Sequence, residues 1–369
     1  MTDISVRCYR STDIGAPSLS GVAGTLLNVL DACLVDGYNF ITLNTVVILN
    51  NVVTCEKSSG HGFTSIGITG PVIRIEGATP AELNGDWRVT VVSSTVFTFA
   101  TSGIADQTAT GTITAKRAPA GWEKSFSGTN KAAYRSTNLA GTRLFLRIDD
   151  TGTTNARCVG YEAMTDVDTG TASFPTAAQV SGGGYVYKSN AASTAAKPWT
   201  LIADSRAVYL FCDAAAAMTT VAGGLFFGDI AAYKAADAYG CGIAFSSYSS
   251  YYFTLYVLNG ATGYLARPIN QVGTSIAFNQ YSHGKTTILG NGGEQYPAVS
   301  DFGFHTWPVE VWDGTTNSRG LMPGLLNPIH AAFGAVLAAM TVNGKTLLPQ
   351  CLSYSNAKAA FDITGPWRV

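Results

Sequence analysis

Apolar residues recur along this chain at two periods. Over residues 18–36 (SLSGVAGTLLNVLDACLVD), Val22, Leu26, Leu27, Leu30, Cys33 and Leu34 fall three or four apart and so share one face of a helix. Ser18 or Ser20 is positioned to cap its start, and Gly37 follows where a left-handed glycine closes a helix. A shorter tract, HAAFGAVLAAM at 330–340, suggests a second short helix.

Most other segments follow a period of two. NTVVILNNVVTCE (44–56) reads as two strands about a turn at Asn50–Asn51. GPVIRIEGA (70–78), DWRVTVVSSTVFTFAT (86–101) and TGTITAKR (110–117) complete a compact all-β module over 43–117. Val89, Val91, Val96, Phe97 and Phe99 are its expected core, with turn chemistry at Asn84–Gly85 and Gly77–Pro80. The flanking segments read as one continuous domain, so the module is an insertion that leaves it near Thr42 and returns near Pro119.

After Gly121 the pattern stays β. In TRLFLRIDD (142–150), Leu144, Leu146 and Ile148 share a face. ARCVGYEAM, GGYVYKS, PWTLIAD, RAVYLFCDA, GLFFGDI and YYFTLYVLNG follow between turn signals, as in an antiparallel sheet or barrel. The organisation expected is an N-terminal segment with the helix (1–42) belonging to the main domain, the inserted module (43–117) and the main β domain (118–279). Residues 280–369 follow as an irregular arm, rich in Gly, His, Tyr and Trp over 280–320, and a C-terminal β segment whose last strand Pro366 stops. The fold class is mainly β, sandwich- or barrel-like, with one clear helix. No fixed-period repeat, Pro-rich linker or charge run interrupts it.

Composition narrows the function classes. The 369 residues are 46% hydrophobic and only 13% charged, which excludes a disordered or solvating chain. Net charge is −1, so neither a basic stripe for nucleic acid nor a polybasic membrane tether is present. The first twenty residues hold Asp3, Arg7, Arg10 and Asp13 without the apolar run of a secretory signal. The longest apolar tract, Ala331–Met340, is too short to span a bilayer and is broken by Gly334, so a soluble protein made in the cytoplasm is expected. With 40 Gly, 17 Phe and 17 Tyr against few charges, much surface is expected to be buried against neighbouring copies.

Candidate chemistry is sparse. Cys8, Cys33, Cys55, Cys158, Cys212, Cys241 and Cys351 form no CxxC pair, and read either as small core hydrophobes or as cross-linking thiols. The triplets at Gly284–Lys285–Thr286 and Gly344–Lys345–Thr346 lack the first glycine of a phosphate loop, with Asn279 and Ala339 in its place, and read as hairpin turns. Gly182–Gly183–Gly184 is a bend with no following helix to hold a pyrophosphate. Asp149–Asp150 ends a strand, where Asp caps turns. Asp166, Asp168 and Gly170 echo the start of a calcium loop, but Ala177 stands where its closing glutamate belongs. Tyr161, Glu162, Asp166, Trp199 and Asp204 supply the residue types of a glycosidase cleft, as a chain this rich in aromatics does by chance. His61, His283, His305 and His330 are isolated, and no GxSxG elbow or HExxH motif occurs. No catalytic, cofactor-binding or metal-ligating residue is assigned, and no cofactor is expected.

Several strings together resemble a family of virion structural proteins from tailed bacteriophages and integrated prophages. They are GAPSLSGVAGTLLNVLDACLVDGYN (15–39), GWEKSFSGTNKAAYRS (121–136), RLFLRIDDTGTTNARCVGYEAMTDVDTGTASFP (143–175), KPWTLIADSRAVYLF (197–211), GLFFGDIAAYKAADAYGC (224–241) and ITGPWR (363–368). SSGHGF (58–63) and GATPAELNGDWRVTVVSSTVFTFAT (77–101) are similar to a β unit found in many phage tail and structural proteins. The resemblance implies a non-catalytic subunit of a neck, collar or tail, located in the virion. Its implied partners are copies of itself and other virion proteins, with no nucleic acid and no membrane. A capsid decoration or head-associated protein, a receptor-binding tail-tip protein and, last, a virion glycan hydrolase are the alternatives. The cysteines depart from the family pattern and leave cross-linking open.

Overall fold

A computed structural model of the chain describes residues 3–215, 223–246, 263–281, 306–314, 317–328, 337–351 and 358–368. Among the described residues the protein is mainly β, with antiparallel sheets, one helix of more than a single turn and a short 3₁₀ turn at Ala81–Leu83. The largest sheet holds thirteen described strands. It runs from Arg7–Arg10 through Trp199–Ala203, Ala207–Cys212, Gly223–Asp229, Cys241–Phe245, Gly263–Leu265 and Ile276–Tyr281. It continues through Thr306–Asp313, Asn317–Pro328, Lys358–Asp362 and Lys345–Cys351 to Met340–Val342, with Ala231–Ala232 attached to Asn317–Pro328.

Trp199–Ala203, Ala207–Cys212 and Gly223–Asp229 are buried on both faces, which explains their nearly continuous apolar sequence. Leu201, Leu210 and Phe227 enter a core shared with the helix and with a six-stranded sheet. That sheet comprises Trp122–Gly128, Lys131–Ser136, Phe145–Asp149, Asn155–Met164, Gly170–Phe174 and Gly184–Tyr187. Leu144, Leu146 and Ile148 all point into this core, on the single face their spacing predicts.

The alternate residues Ile202, Tyr209, Phe211 and Phe226 enter a second core, which the far half of the same large sheet closes with Phe278, Val311, Leu325 and Phe361. Phe361 lies 4.8 Å from the Tyr209 ring and 5.2 Å from that of Phe211. The large sheet therefore folds back on itself, and three β layers are stacked about two cores.

The helix runs from Thr25 to Leu30 as an α-helix and continues over Asp31–Asp36 with wider π turns. Gly37 closes it, at a positive φ of 80° that favours glycine but with an extended ψ of 176° rather than the left-handed helical conformation expected. Its start is neither Ser18 nor Ser20 but Gly24, at φ 83° and without a side-chain cap of its own. The cap is tertiary: Asp150 Oδ2 accepts the Leu26 N–H at 2.9 Å. Val22 precedes the helix and is exposed rather than on its apolar face.

Two small sheets build the module. One contains Tyr38–Thr42, Thr114–Arg117, Val72–Glu76 and Gly85–Arg88; the other contains Thr90–Val91, Val96–Ala100, Val52–Glu56, Thr45–Leu49 and Gln107–Thr108. The chain changes sheet at Val89, which is buried between them. Their core draws its buried residues from positions 43–115 alone. Val89, Phe97 and Phe99 are buried in it and Val91 packs at its margin, whereas Val96 is only half-buried and outside it. Asn50 (φ 51°) and Asn51 (φ 61°) form the tight turn read from the sequence. The first strand begins at Tyr38, before the expected boundary, and the Tyr38 side chain packs into the main core.

Three sequence expectations need correction. Within the arm read over 280–320, the described residues 306–314 and 317–320 are not irregular but belong to two paired strands, Thr306–Asp313 and Asn317–Pro328. Residues 337–340 form a turn and the start of a strand rather than the end of a helix, Leu337 having φ 63°. The last strand ends at Asp362, before Pro366 is reached. The expected strand at 251–260, the triplet at 284–286, most of the 330–340 tract, and His283, His305 and His330 lie outside the described residues.

Candidate functional site

Among the described residues, those singled out by sequence are placed apart and occupied. Cys8, Cys33, Cys55, Cys158, Cys212 and Cys241 are free and buried; the Cys351 side chain lies outside the described residues. Burial pushes the thiols of Cys8 and Cys55 up to about 12 and also raises those of Cys33, Cys158, Cys212 and Cys241. These are inert core thiols, because the thiolate is the reactive form. Among the described residues no group of three His, Cys, Asp or Glu side chains is arranged to hold a metal ion.

The glycosidase set does not converge. Tyr161 and Glu162 are neighbours on one strand and so point to opposite faces. Tyr161 packs with Phe145 and Met164, whereas Glu162 is clamped by Arg267 through two bonds of 2.6 Å. Trp199 is fully buried and donates its indole N–H to Pro17 O at 3.0 Å. Asp204 accepts the N–H groups of Arg206 and Ala207 and pairs with Arg368; burial nevertheless raises its pKa.

The acidic loop is likewise an ion-pair cluster. Asp168 receives Lys131 at 2.9 Å and Arg147 at 2.5 Å, hydrogen bonds that lower its pKa. Asp166 accepts the Asp168 N–H, which lowers it too. Gly344 lies in the turn of a hairpin, as read, with Asn343 at φ 49°. His61 is buried: its Nδ1 accepts the Phe63 N–H at 2.9 Å, so Nε2 carries the proton donated to Ser93 O at 2.8 Å.

Asp149 and Asp150 separate in role. Asp149 accepts the Thr151 N–H and hydroxyl, the turn cap that the sequence suggested. Asp150 is fully buried and pairs with the equally buried Lys188, Nζ to Oδ1, at 2.5 Å. Lys188 also donates to Val22 O at 2.8 Å, so one ion pair holds both the segment before the helix and the first helical turn. Burial raises the Asp150 pKa against the pull of Lys188.

Two surface features remain. A groove of about 750 Å³ lies beside the SSGHGF loop, lined by Ile14, Asn39, Ser59, Ser65, Val91 and Ser93 among others, and no lining residue is an acid or a Lys or Arg. Where the module meets the body, arginines dominate. Arg88 donates to the backbone carbonyls of Asp3, Val6, Gly70 and Thr364, at 2.6 to 3.3 Å. Arg7 pairs with Asp86 at 2.6 Å, and Arg117 donates to Cys8 O. Tyr9 donates to Ala118 O at 2.7 Å, and Thr69 meets Thr346 at 2.7 Å.

Neither the Asp150–Lys188 pair nor the arginine junction has a local sequence signal, because partners up to 295 residues apart meet only in the fold. Comparison by sequence adds no relative: no protein-family model matches the chain, and neither does any curated protein.

Proposed function

We propose that the protein is a non-catalytic structural subunit of a tailed-phage virion, in a neck, collar or tail assembly, and that it works by packing against copies of itself and other virion proteins. The sequence resemblance supplies the setting, and one surface carries the mode of action. The outward face of the module's five-stranded sheet presents Val47, Leu49 and Val52 at 38%, 58% and 43% exposure. Cross-strand register sets Val47 beside Thr54 and Thr108, and Leu49 beside Val52, which itself faces Ala100. Glu56 is the one charged residue among the positions of this face. A face of Val, Leu, Thr and Ala with a single charged residue fits burial against another subunit better than lasting exposure to water.

The occupant we assign to it is a second copy of this chain. The test is Leu49→Lys with Val52→Lys on the full-length protein, followed by light scattering and circular dichroism. The mutant is expected to stay folded and to lose the higher-mass species; an unchanged mass distribution would contradict the assignment. A receptor-binding role is the second reading, favoured by the uncharged hydroxyl-lined groove beside Ser59–Ser65. Binding of the labelled protein to host cells would support it, and cells left unlabelled would count against it.

A further inference from the structure

Asp150 and Lys188 meet in a geometry that differs from an ordinary ion pair. Asp150 directly follows the strand Phe145–Asp149, and Lys188 directly follows Gly184–Tyr187. Both strands pair with Asn155–Met164, one on each side, and that middle strand presents only the small Ala156 to the core beside them. The two side chains are fully buried, with Lys188 Nζ 2.5 Å from Asp150 Oδ1. Oδ1 nevertheless has no hydrogen-bond partner, so Nζ stands beside the carboxyl group outside hydrogen-bond geometry. Asp150 is the one acid that Lys188 reaches among the described residues, and Val22 O holds the amine in place at 2.8 Å. Oδ2 is held in turn by the Leu26 N–H at 2.9 Å.

In water an amine and a carboxylic acid resist condensation because both are ionised and well solvated. A dry core disfavours those charges instead, and burial raises the Asp150 pKa even against Lys188. Fixing the two groups in contact also removes the entropy of bringing them together. We infer that Asp150 and Lys188 are the site of an intramolecular isopeptide bond, Nζ to Cγ, formed with loss of water. The step balances without a co-reactant. Nζ passes one proton to Oδ1, which leaves a neutral amine beside a neutral acid. The Nζ lone pair then attacks Cγ, and the charge that gathers on Oδ2 is received by the Leu26 N–H, a fixed backbone donor. Oδ1 leaves as water with a second proton from Nζ, so one C–N bond forms, one C–O bond breaks and nothing is oxidised or reduced. Until that step the two residues remain the ion pair described above. The bond ties Phe145–Asp149 to Gly184–Tyr187 across the sheet and restricts the unfolded chain as a disulfide does.

The test is mass spectrometry of the full-length chain, incubated folded and then denatured. The intact mass is expected to fall short of the sequence mass by one water. Trypsin cuts after Arg157, between the two residues, but not after an acylated lysine, and Pro198 protects Lys197. The digest should therefore contain a branched peptide in which 148–157 is joined through Asp150 to Lys188 of 158–206. The full mass with both peptides free would overturn the bond, and so would a loss of water that leaves the two peptides separate. Lys188→Arg keeps a cation but removes the nucleophilic amine, so it should show the full mass; the same loss of water persisting there would contradict the assignment. If that variant does not fold, the wild-type digest decides alone.

Discussion

At the scale of single residues, reactive groups are turned inward or matched. Six described thiols are buried and protonated, so Ellman's reagent should label at most one thiol per native chain and all seven once the chain is unfolded. Rapid labelling of two or more in the native protein would contradict this packing. Asp150 is where a side chain matters most. Replacing it with Ala strands Lys188 without its counter-ion and frees the Leu26 N–H, so urea unfolding should show a loss of about 3–5 kcal/mol. A loss below about 1 kcal/mol would mean that Lys188 reaches solvent.

The acid limb of stability belongs to other carboxylates. Asp149 and Asp168 have folded pKa values below their ordinary 3.8, Asp168 because Lys131 and Arg147 bond it and Asp149 chiefly because Thr151 does, against the opposing effect of burial. Their contribution is present above 3.8 and is lost as pH falls through the lower folded values. Asp168→Asn should therefore flatten the decline of stability below about pH 4, measured by urea midpoints. The raised Asp150 and Asp204 act in the opposite sense: what they contribute is full below 3.8 and fades as pH rises through their folded values.

Among elements, legibility followed periodicity. The turn at Asn50–Asn51, the face of Leu144, Leu146 and Ile148, and the doubly buried strands were readable because alternation or apolar continuity states which faces are covered. The start of the helix was not, since its cap comes from Asp150, 124 residues away, and no serine side chain caps it. Strands Thr306–Asp313 and Asn317–Pro328 were hidden by Pro308, Gly320, Pro323 and Gly324, and their register shifts at two places. Irregular pairing of this kind erases the period of two that sequence reading depends on.

The same elements set clear mutational limits. A Cβ at Gly160 would lie 2.3 Å from the Phe174 ring, itself fully buried against Phe227. Gly160→Ala should lower the urea midpoint by an amount worth about 1–3 kcal/mol, as overpacking does. Gly344→Ala, at φ 76° with open space around it, should cost only about 1 kcal/mol through its backbone.

For the whole molecule, the arrangement is a three-layer β body with a two-sheet module fastened to it. The module's core is closed within its own residues, but its attachment is polar and arginine-rich. Deleting 43–117 with a Gly/Ser bridge from Thr42 to Pro119 should leave a soluble body of reduced stability, since Arg7 loses Asp86. Complete loss of soluble protein would show that the body requires the module. The mainly β class was legible in the sequence; the fold-back of the large sheet was not, because strand order depends on pairings that no local pattern encodes.

Self-association is the property on which the functional proposal stands, and mass in solution reads it without assumption. Light scattering on the purified full-length chain, with negative-stain images of the same fraction, should give a multiple of the chain mass in closed rings or stacked tubes. A strict monomer at every concentration, together with its absence from purified virions by mass spectrometry, would contradict the account.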